Sequence, residues 1–278
     1  AGGATQPPEA GGSPQRSMTL PRDQLLDGAR DPAGLAPLVD QAEIVLRTWQ
    51  PLWSHFLDAP LQEEGLQRLS GLSDLVWHRD GGYPGAERCR LLCRRATDGE
   101  EGEMPAPISG LLIEGNFLFD PLSPMDLRQA LRELGARDNQ LGDIWVRGDR
   151  GGQGLVTPDC ASALHERRGR IRDVEIRCEQ VVLNQLQLPA QRTPKSLTTV
   201  EASCRIDAIA SAGFGLSRSK VVTQIKAGRL RLNWQPVRQA GREIGVGDRL
   251  QLQDRGRLEV LSLHRTKRDR WRIELLRH

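Results

Sequence analysis

The sequence contains no Cys-x-x-Cys pair, no P-loop and no G-x-S-x-G elbow. A paired-cysteine zinc finger, a P-loop nucleotide site and α/β-hydrolase chemistry are thereby set aside. The five cysteines (Cys89, Cys93, Cys160, Cys178, Cys204) are an odd, scattered set, so no disulfide framework is expected and a reducing compartment is. His55, His78, His165, His264 and His278 show no metal-ligand spacing with one another or with the cysteines, and neither metal nor cofactor is expected. No apolar run approaches the roughly 18 residues that cross a bilayer. Residues 1–17 lack the apolar core of a secretory signal. A soluble, cytoplasmic protein is expected. The Gly, Pro, Ala and Ser of that stretch read as a disordered extension over residues 1–19, with Met18 a candidate start of the folded part.

Acidic residues are the most informative absence, because not one occurs from 208 to 242. The overall charge of +3 hides this asymmetry. Residues 201–278 hold 17 Lys and Arg against 8 Asp and Glu, whereas residues 1–200 hold 22 against 28. A basic C-terminal module suited to a polyanionic partner is the expectation. A merely solvated face would intersperse acids among its cations.

The fold class expected is α+β. Residues 20–71 read as a helical segment: Asp31-Pro32 places a cap before a first-turn proline, and Leu35, Leu38, Val39, Ala42, Val45, Leu46 and Trp49 follow at helical spacing. His55 and Asp58 read as capping or packing residues. Residues 72–184 read as a ferredoxin-like (RRM-like) domain. Within it "PISGLLIEG", "GDIWVRG", "QGLVTP" and "RDVEIRCEQVV" are strands, while "SPMDLRQALRELG" and "PDCASALHERRG" are helices, in the order β-α-β-β-α-β. RNA-recognition modules use this order but stack bases on aromatics of their central strands. Here "QGLVTP" has no aromatic, and the first strand has none before Phe117. Residues 185–203, polar and with two prolines, read as a linker.

The last module, 204–278, begins with a short helix from Arg205 carrying Ile206, Ile209 and Ala210, expected to break at Gly213 and Gly215. Ser217 is placed to cap a second helix that buries Val221, Val222 and Ile225. Gly228 stops that helix, and "RLRLNW" alternates Arg outward and Leu inward. Three further short strands complete a small α/β unit. Cations on a helix and the strand after it can follow a sugar-phosphate backbone, to which a helix N-terminus adds N–H donors. The expected phosphate contacts are Arg205, Arg218, Lys220, Lys226, Arg229 and Arg231. Ser217, Ser219 and Asn233 are expected to hydrogen-bond sugar or backbone.

Arg205-Ile206-Asp207, Leu216-Ser217-Arg218-Ser219, Ile225, Gly228, the strand to Asn233 and Gly247-Asp248 together resemble the αL RNA-binding domain named for ribosomal protein S-four. "GGYPGAERCRLL", residues 81–92, resembles the signature of YlmH-like proteins, and the likeness runs from about Leu20 to His278. Members from photosynthetic lineages are labelled photosystem II S-four domain proteins. The resemblance implies a helical segment and a ferredoxin-like domain ahead of the αL domain. It also implies an RNA-binding protein that docks on large-subunit ribosomal RNA, with tRNA nearby, in rescue of stalled nascent chains; a non-catalytic monomer is the expectation. Tyr83 and Arg88 lie in the signature, which reads equally as an RNA-contacting loop or as a structural turn.

Two other function classes have their own marks. An RNA-modifying enzyme of the pseudouridine-synthase type needs a catalytic aspartate, for which Asp120, Asp143 and Asp159 are available without a recognisable pattern. A photosystem II assembly factor would place the basic face on protein or anionic lipid. Gly151-Gly152-Gln153 reproduces the release-factor tripeptide but falls in the predicted turn between two strands, and Arg147-Gly148-Asp149 beside it reads as coincidence.

Overall fold

A computed structural model describes residues 19–96, 104–252 and 255–278. The extension expected over residues 1–19 lies almost wholly outside the described residues. The chain divides into two compact units between Pro189 and Ala190.

In the first unit, α1 (Arg22–Leu26) precedes α2 (Pro32–Thr48), whose N-cap Asp31 accepts from the Gly34 N–H at 2.9 Å. The short β1 (Leu52–Trp53) leads into α3 (Ala59–Leu69), capped by Asp58 through the Leu61 N–H at 3.0 Å. Next come β2 (Leu75–Asp80) and β3 (Arg90–Arg95), which form a three-stranded sheet ordered β1-β3-β2. Leu91 packs with Leu35, Leu38 and Val39 of α2, and Leu75 and Cys93 pack with Ala42, Val45 and Leu46. Residues 75–95, expected in the ferredoxin-like domain, therefore belong with the N-terminal helices. The reason is burial: α2 presents two apolar flanks, and the β2–β3 ribbon, with Leu20 and Leu72, covers the second.

The ferredoxin-like part follows as β4 (Ser109–Glu114), α4 (Pro124–Glu133), β5 (Leu141–Val146), β6 (Gly151–Val156), α5 (Pro158–Leu164), β7 (Arg168–Ile171) and β8 (Val174–Val181). The sheet order β5-β6-β4-β8-β7, antiparallel throughout, is the ferredoxin-like arrangement with one added edge strand. That strand replaces the second half of the helix expected over 158–169. Helix α5 ends at Leu164, and Arg168–Ile171 pairs with β8 instead. Alternation sends Leu111, Ile113, Val156, Ile176 and Cys178 to the helices. Leu112, Leu155 and Val181 face the other way and are covered by Phe56, Tyr83, Leu183 and Leu186. The sheet face on which RNA-recognition modules stack bases is thus packed inside this unit.

Asp143 on β5 ties the cover down. Its carboxylate accepts from the Tyr83 hydroxyl at 2.7 Å and from the Glu87 and Arg88 N–H groups at 2.8 and 2.9 Å. Tyr83 also meets Trp145 edge-on at 6.2 Å.

The second unit opens with β9 (Lys195–Glu201), inside the stretch expected to be a linker. The polar run conceals β-branched Thr198, Thr199 and Val200, which suit a half-buried pleat, and Leu197 packs on the core. Then come α6 (Ile206–Phe214), α7 (Arg218–Lys226), β10 (Leu230–Leu232), β11 (Gln235–Pro236), β12 (Arg249–Leu252), β13 (Gly256–Arg265) and β14 (Trp271–Arg277). They form a six-stranded sheet ordered β11-β10-β12-β13-β14-β9. One face of it buries Leu230, Leu232, Leu250, Leu252, Leu258, Val260, Ile273 and Leu275 with Ile206, Ile209, Phe214, Val221 and Ile225 of the helices. Gly213 does not break α6 as expected. It lies inside the helix, where a Cβ would collide with Leu258.

All five cysteines are free and buried. Desolvation pushes the thiols of Cys89, Cys160 and Cys178 up to about 11 and that of Cys93 up to about 12, so they serve as small core residues.

Asp143→Ala removes three acceptor contacts and leaves partly buried donors unmatched. It should cost about 2 kcal/mol in chemical denaturation, read as a lower midpoint at unchanged slope.

Candidate nucleic-acid interface

Helix α6 starts at Arg205, whose guanidinium meets the Asp207 carboxylate through Nε at 3.1 Å and Nη2 at 2.9 Å. The Arg205 hydrogen bond holds the nearly buried Asp207 carboxyl below the ordinary carboxylate range. Gly215 ends the helix in the left-handed region, at φ 66°, a conformation that suits a residue without Cβ. Ser211 donates to the Leu216 carbonyl at 2.5 Å and closes the corner. One residue on, Ser217 caps α7 by accepting from the Lys220 N–H at 3.3 Å, and its Oγ lies 3.0 Å from that of Ser219.

Only Val221 and Ile225 of α7 are fully buried, and Val222, expected with them, stays partly exposed. Arg218, Lys220 and Lys226 are exposed, as is Arg229 after the Gly228 stop. Arg218 lies 3.3 Å from Glu201. Lys220, Lys226, Arg229 and Arg231 have no ion-pair partner among the described residues. Strand alternation turns Leu230 and Leu232 into the core and Arg231 out. Arg231 accordingly points to the sheet face opposite the helices, so the expected cations occupy two faces of this unit.

Asn233 is not a free ligand for RNA, contrary to expectation. It occupies a two-residue turn between β10 and β11 at φ 46°. Its amide donates to Asp248 at 2.8 Å and accepts from the Arg249 N–H at 3.0 Å. Asp248 in turn accepts from the Gly245 N–H at 2.8 Å. The Asn233 and Gly247-Asp248 pattern is a structural clasp between two turns.

Tyr83 and Arg88 are likewise committed. The Tyr83 hydroxyl is held by Asp143, and burial with that neighbouring carboxylate raises its pKa. Arg88 donates to the carbonyls of Leu141 at 2.8 Å and Asp138 at 3.0 Å, with its side chain 15% exposed. The structural-turn alternative describes both. Gly151-Gly152-Gln153 lies buried in β6, where a Cβ on Gly151 would meet the Ile113 carbonyl and one on Gly152 the Leu127 side chain. Gln153 Oε1 accepts from the Gln187 N–H at 2.8 Å. Close strand and helix packing explains these glycines.

Among the described residues no three His, Cys, Asp or Glu side chains are placed to hold a metal ion. No helix among them is long and apolar enough to cross a membrane.

Sequence reasoning passed over Trp234, Arg249 and Arg257. The Arg249 and Arg257 guanidinium carbons lie 5.6 and 6.0 Å from the Trp234 ring centroid. The sequence carried no signal for them, because "RLRLNW" reads as one strand and the turn at Asn233-Trp234 emerges only from the register.

This helix–corner–helix leading into an antiparallel sheet defines the class: the S4 domain model matches residues 204–250. The family model described as YlmH, N-terminal, matches residues 31–97, the helices and ribbon of the first unit. The chain thus carries both domains and is YlmH-like, with a C-terminal S4 domain. The "Ribosome-associated protein quality control protein P2" of Bacillus subtilis (strain 168) is 27% identical over 241 residues, covering 84% of this chain and 92% of that protein. Among solved structures, "Cell division protein ylmH from Streptococcus pneumoniae" superposes with a TM-score of 0.42 at 17% identity, over 56% of this chain and 93% of that one.

Because the native Asp207 pKa is depressed, its contribution to stability is present above the ordinary carboxylate pKa and is lost as pH falls through the native value. Asp207→Asn should therefore melt below the wild type at pH 7. The gap should close on acidification, as thermal melts across pH would show.

Proposed function

We propose that residues 204–278 bind structured RNA of the ribosome and that the chain acts there as a monomer without catalysing a reaction. One observation carries this: Lys220, Lys226 and Arg229 stand exposed and without ion-pair partners among the described residues, in a run free of carboxylates from 208 to 242. An unneutralised array of this kind is suited to phosphates, whose condensed counterions it would release. The alignment with the B. subtilis protein, over most of both chains, supports the ribosome as the partner.

Within that reading the docking site is large-subunit ribosomal RNA, with tRNA beside it, in the compartment where ribosomes work. The reading as a non-enzyme rests on the candidate acids. Asp143 is taken by three internal donors, Asp120 pairs with Arg172 at 2.8 Å, and Asp159 accepts from Gln140 at 2.9 Å.

The double variant Arg218→Glu/Lys226→Glu should lose RNA binding with its circular dichroism unchanged, and unaltered affinity would sink the assignment. Lys220→Ala should weaken binding across sequences and flatten the salt slope by about one. Anionic vesicles should fail to compete for the wild-type protein at moderate salt, where an anionic membrane surface as the true partner would displace RNA.

A further inference from the structure

Trp234 stands where a hairpin ordinarily places glycine. Leu232 pairs with Gln235, so Asn233 and Trp234 form the whole turn, at φ 46° and 70°. Such turns require positive φ at both positions and favour Asn-Gly. Asn233 is accounted for by its clasp with Asp248 and Arg249. A bulky indole at φ 70° is strained, and burial does not explain it. Trp234 is absent from the apolar cluster of this unit, which Trp271 does join, and it remains partly exposed.

The surroundings of Trp234 are cationic. The register aligns Pro236, Arg231, Gln251 and Arg257 in one row across the sheet, with Arg249 next along β12. Leu230, Leu232, Leu250, Leu252 and Leu258 are buried on the opposite face. A strained aromatic among three arginines suits a flat, electron-rich ring attached to an anion, and suits an apolar protein patch poorly.

We propose that Trp234 stacks on an unpaired nucleobase, with Arg231, Arg249 and Arg257 on the adjoining phosphates. The sheet face opposite the helices is then a second RNA-contacting surface that reads single-stranded character. This rests on the RNA-binding reading above. The strain is retained because glycine would relieve it only by removing the ring.

The test uses the full chain and two labelled RNAs of equal length, a hairpin with an unpaired adenosine loop and a blunt, fully paired duplex. Trp234→Gly should raise the melting temperature while weakening hairpin binding about tenfold and sparing the duplex. Trp234→Asn, a second residue that tolerates positive φ, should lose hairpin binding in the same way, and Trp234→Phe should largely restore it. An equal loss on both RNAs, no loss on either, or a melting temperature lowered by both Gly and Asn would overturn the proposal and make Trp234 a structural residue. Arg218→Glu/Lys226→Glu run alongside separates the two readings. If the wild type binds neither RNA, or the double variant binds as well as the wild type, RNA binding itself fails. If the double variant loses both RNAs while Trp234→Gly loses neither, only the stacking role fails.

Discussion

Burial of Val221, Ile225, Leu230 and Leu232 in one apolar core decides where every neighbouring cation points. The helix can bury only its Val221–Ile225 stripe, so Arg218, Lys220 and Lys226 are left outside. The strand can bury only alternate residues, so Arg231 must face away from the helices. Two caps hold this geometry at the corners: Gly215 turns the chain out of α6, and Ser217 starts α7. A slip of one residue in β10 would invert it, sending arginine into the core. The charge of the surface is thus a consequence of the packing beneath it.

The first unit shows how topology and chemistry separate. Its sheet has the strand order shared by RNA-recognition modules, yet the face those modules use is filled by Phe56, Tyr83, Leu183 and Leu186. Asp143 anchors that cover with three hydrogen bonds, whose donors all come from the "GGYPGAER" turn. Fold likeness alone would have assigned a binding role to a surface that is interior. In the second unit particular side chains mark the surface instead, and there the S4 match and the exposed cations agree.

Much of the second unit was legible because local signals coincided. Ser217 before a helical stripe, Gly228 after it and the Leu–Arg alternation of β10 each specify one conformation. The ferredoxin-like order was legible for the same reason. Strand β9 was hidden because the prolines before it and its own threonines resemble a loop, while its pairing partner β14 lies seventy or more residues on. The role of Asn233 was hidden because its amide partners, Asp248 and Arg249, meet it only through sheet register. Gly151 and Gly152 read as a turn because sequence does not show that the Ile113 carbonyl and Leu127 press against them in β6. Trp234 was passed over because a turn aromatic is uninformative until its φ and its arginine neighbours are known.

The most direct measurement is ultraviolet crosslinking in cells, with the bound RNA sequenced and the crosslinked peptides mapped by mass. The account predicts reads concentrated on ribosomal RNA and crosslinked peptides confined to the α6–β11 segment and the β12–β13 strands. An empty library, or crosslinks confined to the first unit, would contradict it.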